Sequence, residues 1–187
     1  MIDVEIEDEA WAAALPDAEA LVERAAVAAL NFISAHPDER RDPGFFPEGE
    51  RAMAQTWTPA AAGVSSFSVT VLLTDDATLH DLNSRFRGQD RPTNVLSFPA
   101  PTSARPHLGD VALAFATCER EANEQGKPLS SHLTHLVAHG VLHLVGYDHE
   151  SEAEAVVMEA LERDVLAGLG LPDPYAPNGS PEDVNGR

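Results

Sequence analysis

The sequence predicts an α+β fold, a single domain in which a small mixed β-sheet is covered by helices. Three observations carry this. Short alternating or β-branched runs stand well apart along the chain, at 2–6, 67–74, 93–98 and 108–114. From residue 130 onward the pattern is helical, and those helices need an apolar surface to pack on, which a sheet provides. The chain has 187 residues and 43% apolar content, enough to bury one sizeable core.

Ile2-Asp-Val-Glu-Ile6 alternates as a strand with one buried face does. Pro16 and Asp17 then open a helix, in which Leu21, Val22, Ala25, Ala28, Ala29, Phe32 and Ile33 recur at helical spacing up to His36. Residues 37–66 show little periodicity and read as a long loop or insertion. Phe67–Thr74 is a strand, rich in β-branched residues. Thr74, Asp75 and Asp76 offer caps for a helix over Ala77–Arg85. Phe86–Pro92 is a loop, Thr93–Phe98 a strand stopped by Pro99, and Leu108–Ala114 another strand. A helix over Thr117–Gln125 ends at Gly126. Ser130 or Ser131 is the expected cap of the next helix. Ser151 and Glu154 match a capping box for a last helix, with Val156, Met158, Leu161, Val165 and Leu169 as its core stripe. The domain is expected to span 1–175, with 176–187 as a disordered tail.

The formal net charge of -19 argues against broad, nonspecific nucleic-acid binding, which needs Lys and Arg. The charge is uneven, however. Arg85, Arg87, Arg91 and Arg105 lie between 84 and 109, opposed there only by Asp90. Cys118 is the only cysteine, so no intrachain disulfide forms, which favours a reducing compartment. The N-terminus has no signal-peptide pattern, and no apolar run approaches the ~20 residues that span a bilayer. A soluble, cytoplasmic protein is expected.

The most informative stretch runs from His135 to Glu150. His139 and His143 are four residues apart, so both project from one face of a helix. Gly146 offers a helix stop, after which the chain can turn back and bring in His149. Three neutral imidazoles and one open position describe a catalytic zinc site. A single apolar-helix histidine is ordinarily a hydrogen-bonded core residue, but three at these spacings favour a metal. His132 and His135 compete for the third place. His135 is eight residues before His143, ~12 Å of helix rise, too far for ~2 Å bonds to one ion. His132 and His135 are therefore read as partly buried or supporting residues.

His139-Gly-Val-Leu-His-Leu-Val-Gly-Tyr-Asp-His149 resembles the HGxLHLxGYDH signature of the YbeY family of bacterial rRNA maturation factors. Leu82–Pro99, Leu108-Gly-Asp110 and Asp173-Pro-Tyr175 also resemble that family, so the likeness covers roughly 67–175. The resemblance implies a single-strand-specific endoribonuclease acting in 16S rRNA 3′-end maturation and ribosome quality control. Its partners would be single-stranded RNA and the small ribosomal subunit. It implies a Zn2+ ion on His139, His143 and His149, and a functional role for Arg87.

An arginine suits that task because its planar fork binds phosphate in two places and stays charged. Read without the family, Arg87 is better explained as a surface arginine making a salt bridge, and the resemblance reverses that. Asp148 could orient an imidazole or only shape a turn, and Tyr147 is more simply a core residue. Asp110 could support the site or a turn. Thr93, Asn94 and Ser97 could line an RNA groove or be structural. Two other readings stay open. A peptidase fits H-x-x-x-H-x-x-x-x-x-H, but Gly140 stands where H-E-x-x-H enzymes place their general base. A noncatalytic RNA-binding factor would hold a structural zinc, normally closed by a fourth protein ligand. Gly140 itself suggests close approach of another segment.

Overall fold

The computed structural model describes residues 1–35 and 67–176. The insertion expected at 37–66 lies outside the described residues, as does the tail expected at 176–187 except for Ala176. Among those described are four strands and six helices. In order these are β1 (Ile2–Ile6), α1 (Glu9–Ala14), α2 (Ala18–Ala35), β2 (Ser68–Thr74), α3 (Asp76–Leu82), β3 (Val95–Pro99), β4 (His107–Ala114), α4 (Phe115–Glu124), α5 (Leu129–Leu144) and α6 (Glu152–Gly168). The last turn of α3 widens into a π-helical turn, Asn83–Arg87. No described helix is long and apolar enough to cross a membrane.

The sheet order is β1-β2-β4-β3. β1, β2 and β4 run parallel, and β3 pairs antiparallel to β4 as an edge strand. The expected α+β architecture with a small mixed sheet is therefore the one found. Strand alternation divides the apolar residues between two faces. Val69, Val71 and Leu73 of β2 and Val111 and Leu113 of β4 join one core with Ala25 and Ala29 of α2 and Val137 and Val141 of α5. Leu96, Ala112 and Ala114 meet Leu79 of α3 on the other face.

Gly140 shows why α5 can lie so close to the sheet. A Cβ there would sit 2.6 Å from Val111 Cγ1 and 3.2 Å from Ser97 Oγ. The Ser97 hydroxyl donates to the Gly140 carbonyl at 3.2 Å, fastening β3 to α5. Any side chain would push the helix off the sheet, at ~1–3 kcal/mol of overpacking.

Several expectations need correction. α1 was not anticipated, because six residues show no periodicity. It is held by Asp8, which accepts from the Ala10 N–H at 3.0 Å, and by buried Trp11, whose Nε1 donates to the Thr74 carbonyl at 3.1 Å. Neither Ser130 nor Ser131 caps α5. The cap is Pro128, with no side-chain bond, and its carbonyl accepts from both Ser131 and His132. Thr93 and Asn94 stay outside β3, where the Asn94 side chain accepts from the Val95 N–H at 2.7 Å. Pro99 remains in β3, which an edge strand tolerates. The α6 capping box of Ser151 and Glu154 forms as expected. Its core stripe differs: Val156 is 62% exposed, whereas Glu162 is fully buried.

Candidate metal centre

Helix α5 carries His139 and His143 one turn apart, with their Nε2 atoms 3.1 Å from each other. The helix ends in a Schellman turn. The Tyr147 N–H donates to the Leu142 carbonyl, the Gly146 N–H donates to the His143 carbonyl, and Gly146 takes φ 97°. Buried Tyr147 anchors this turn among Ile33, Leu142, Met158 and Leu161, the core role expected of it. The chain then reverses and brings His149 to the pair. Its ring centroid lies 5.3 Å from that of His139 and 5.1 Å from that of His143. One ligand atom from each of the three residues lies within 4.8 Å of the others.

The hydrogen bonds fix which nitrogens face inward. The Nδ1–H of His143 donates to the Tyr147 carbonyl at 2.9 Å, which can only accept. The Nδ1–H of His139 donates to Glu162 Oε1 at 2.6 Å. Both Nε2 atoms are then left as acceptors, aimed at each other at 3.1 Å. Two lone pairs at that distance repel unless a cation lies between them. The donor set therefore fits a metal ion. Cys118 takes no part. Its buried Sγ faces the Asn94 carbonyl at 3.6 Å, and burial pushes its thiol pKa up.

Electrostatics favour a neutral, metal-ready His143. Burial, aided by neighbouring His139, lowers the His143 pKa to about 4. Burial alone would raise the Glu162 pKa, but the hydrogen bonds from His135 and His139 outweigh it and hold the carboxyl near about 2. Both shifts have the same consequence for metal-free protein. As pH falls from 6.5 to about 4, the unfolded chain takes up a proton at His143 that the folded chain refuses. Between 4.5 and about 2, the ionised Glu162 that stabilises the fold is protonated. Stability is thus complete above the histidine window and is lost stepwise on acidification. Thermal unfolding of metal-stripped protein is expected to show Tm falling across the His143 window, and a flat Tm there would contradict a buried neutral imidazole.

Beside the three histidines runs a groove of about 910 Å³. His143 and His149 line it together with Arg87, Arg91, Arg105 and Arg120. Glu121, Asp148 and Glu150 are its acidic members. Arg87 ends the π-helical turn and donates through Nη2 to the Ser97 carbonyl at 2.8 Å, so among the described residues it rests on a backbone acceptor and not on a carboxylate. Ser97 in turn holds Gly140, the residue after His139. The arginine and the metal helix are thereby fastened to the same strand. Arg85 points elsewhere, to Asp81 at 2.9 Å. Arg120 was not singled out from the sequence, where it lies outside the basic window.

The remaining candidates separate clearly. Asp148 accepts from the His149 N–H at 2.8 Å and lies 3.8 Å from His143 Nδ1, so it both shapes the turn and faces a ligand ring. Asp110 pairs with His107 Nε2 at 3.1 Å and does not line the groove. Thr93 and Asn94 do line it. His132 bonds Glu121 at 3.1 Å, and His135 bonds Glu162 at 2.7 Å. Glu162, like Arg120, is a site residue that sequence reading missed. The available signal was a charged residue at a core spacing, flanked by Leu161 and Val165.

Residues 50–170 match the family model described as Endoribonuclease YbeY. A protein named Endoribonuclease YbeY from Chelativorans sp. (strain BNC1) is 57% identical over 127 residues, covering 64% of this chain and 78% of its own. Its namesake from Rhodopseudomonas palustris (strain BisB18) is 52% identical over 133 residues, covering 67% and 79%. A third, from Bradyrhizobium sp. (strain BTAi1 / ATCC BAA-1182), is 57% identical over 123 residues, covering 62% and 73%.

Proposed function

Because the chain belongs to the YbeY endoribonuclease family, we propose that it is a zinc-dependent, single-strand-specific endoribonuclease. Its place is 16S rRNA 3′-end maturation and ribosome quality control, in the cytoplasm, with rRNA and the small ribosomal subunit as partners. Residues 1–175 form its catalytic domain. The carrying observation is that His143 and His149 share one groove with four arginines, on a chain whose net charge is -19. Cationic groups gathered at one place on an acidic surface suit local phosphate recognition.

The residues divide the work. His139, His143 and His149 would hold the ion, the first two through nitrogens oriented by Glu162 and the Tyr147 carbonyl. A zinc ion bound there would supply Lewis acidity towards a phosphoryl oxygen and lower the pKa of bound water from ~16 towards ~7. Arg87 spends one N–H on Ser97 and keeps further donors for the scissile phosphate or its neighbour. That fixes the phosphate and offsets charge as it builds on the oxygens. Arg91, Arg105 and Arg120 hold the flanking backbone.

The test uses a single-stranded fragment of 16S rRNA precursor, the same RNA annealed to its complement, and an unstructured peptide. Cleavage of the single strand alone, abolished by chelation and restored by zinc, is expected. Cleavage of the peptide, or of RNA after complete chelation, would overturn the reading.

A further inference from the structure

The buried face of α6 holds one carboxylate with no solvent contact. Glu162 is 0% exposed. Its Oε1 accepts from His139 Nδ1 at 2.6 Å, and its Oε2 accepts from His135 Nε2 at 2.7 Å and from the Tyr175 hydroxyl. A buried charge is costly unless it is paired and hydrogen-bonded, and three donors meet that requirement here. Tyr175 arrives from a segment that folds back after α6. Lys127 Nζ donates to the Pro174 carbonyl, Arg163 Nε lies 3.5 Å from Asp173, and the Arg163 guanidinium lies 5.2 Å from the Tyr175 ring centre. The Tyr175 ring also meets the His135 ring edge-on, with centroids 5.6 Å apart.

We propose that Glu162 positions His139 for the metal, and that docking of residues 173–175 over Glu162 and metal binding at His139 strengthen each other. This rests on the metal reading given above. His135 and Tyr175 pin one carboxylate oxygen, which leaves the other a single direction, towards His139. A carboxylate opposite Nδ1–H fixes the imidazole tautomer and makes Nε2 a stronger donor. A cation on Nε2 in turn makes the Nδ1–H a better donor to Glu162. Tyr175 takes the place of water on that carboxylate, and a dry site strengthens each bond in the chain. Coupling of this kind is reciprocal. If undocking the segment loosens the metal, then metal must tighten the segment by the same factor.

The experiment measures zinc dissociation constants by chelator competition, and amide exchange at Tyr175 and Ala176 with and without zinc. It uses wild type, Glu162→Gln and Tyr175→Phe, with circular dichroism as the folding control. Glu162→Gln keeps the shape but cannot accept from three donors. Its zinc affinity is expected to fall by ~10–100-fold, and Tyr175→Phe by about threefold to tenfold. Zinc is expected to slow exchange at Tyr175 and Ala176 in wild type, and not in Glu162→Gln. A folded Glu162→Gln that binds zinc as wild type does overturns the positioning role. Exchange in wild type that ignores zinc overturns the coupling. If Glu162→Gln fails to fold, Tyr175→Phe with wild-type zinc affinity overturns the proposal instead. Wild type that binds no zinc would sink the metal reading itself, an outcome distinct from these.

Discussion

Replacing His143 with alanine is expected to remove the metal and RNA cleavage together while leaving the fold in place. His143 offers one of the three grouped nitrogen donors that could hold a metal ion, and it lines the groove. Metal content should fall from about one zinc ion per chain to a small fraction. Lewis acidity is worth several kcal/mol at the transition state, so cleavage should drop by at least ~10³-fold. The fold loses little. The side chain makes one bond to the Tyr147 carbonyl, worth ~1 kcal/mol, and alanine favours the helix. Metal analysis, circular dichroism and a cleavage assay on the same preparation check all three. A metal-free variant that still cleaves would show that the ion is not catalytic.

The second large effect belongs to Arg87→Ala, and its signature is the reverse for the metal. Arg87 contacts the Ser97 carbonyl and no ligand histidine, so zinc should stay bound. Charge-assisted bonds to phosphate are worth ~1.5–3 kcal/mol, which corresponds to a loss of roughly 10–150-fold in cleavage. Arg87→Lys should recover only part, because an ammonium keeps the charge and loses the fork. Unchanged cleavage in Arg87→Ala with zinc present would exclude the clamp.

Much of this site could be read from the sequence because it is local. His139, His143 and Gly146 lie within a few turns of one helix, and helical spacing alone puts both imidazoles on one face. The turn that returns His149 follows from a glycine at a helix end. The strands were equally plain, since alternation shows which residues are buried. Topology was not, because nothing local says that β4 inserts between β2 and β3.

Glu162 shows the limit most clearly. Met158, Leu161, Glu162, Val165 and Leu166 follow the buried helical spacing without a break. A search for apolar residues steps over the carboxylate, and Val156 was drawn in although it faces solvent. The partners of Glu162 are 23 residues back at His139, 27 back at His135 and 13 ahead at Tyr175, beyond any local pattern. The role of Arg87 was likewise implied by family likeness alone. The structure adds a physical link, through Ser97 to Gly140.

X-ray absorption of the zinc-loaded protein would show whether His139, His143 and His149 leave one coordination position open. Three imidazole nitrogens and one oxygen at ~2.0–2.1 Å are expected, an open site with no sulfur. A sphere closed by four protein ligands, or any zinc–sulfur distance near ~2.3 Å, would contradict it and make the ion structural.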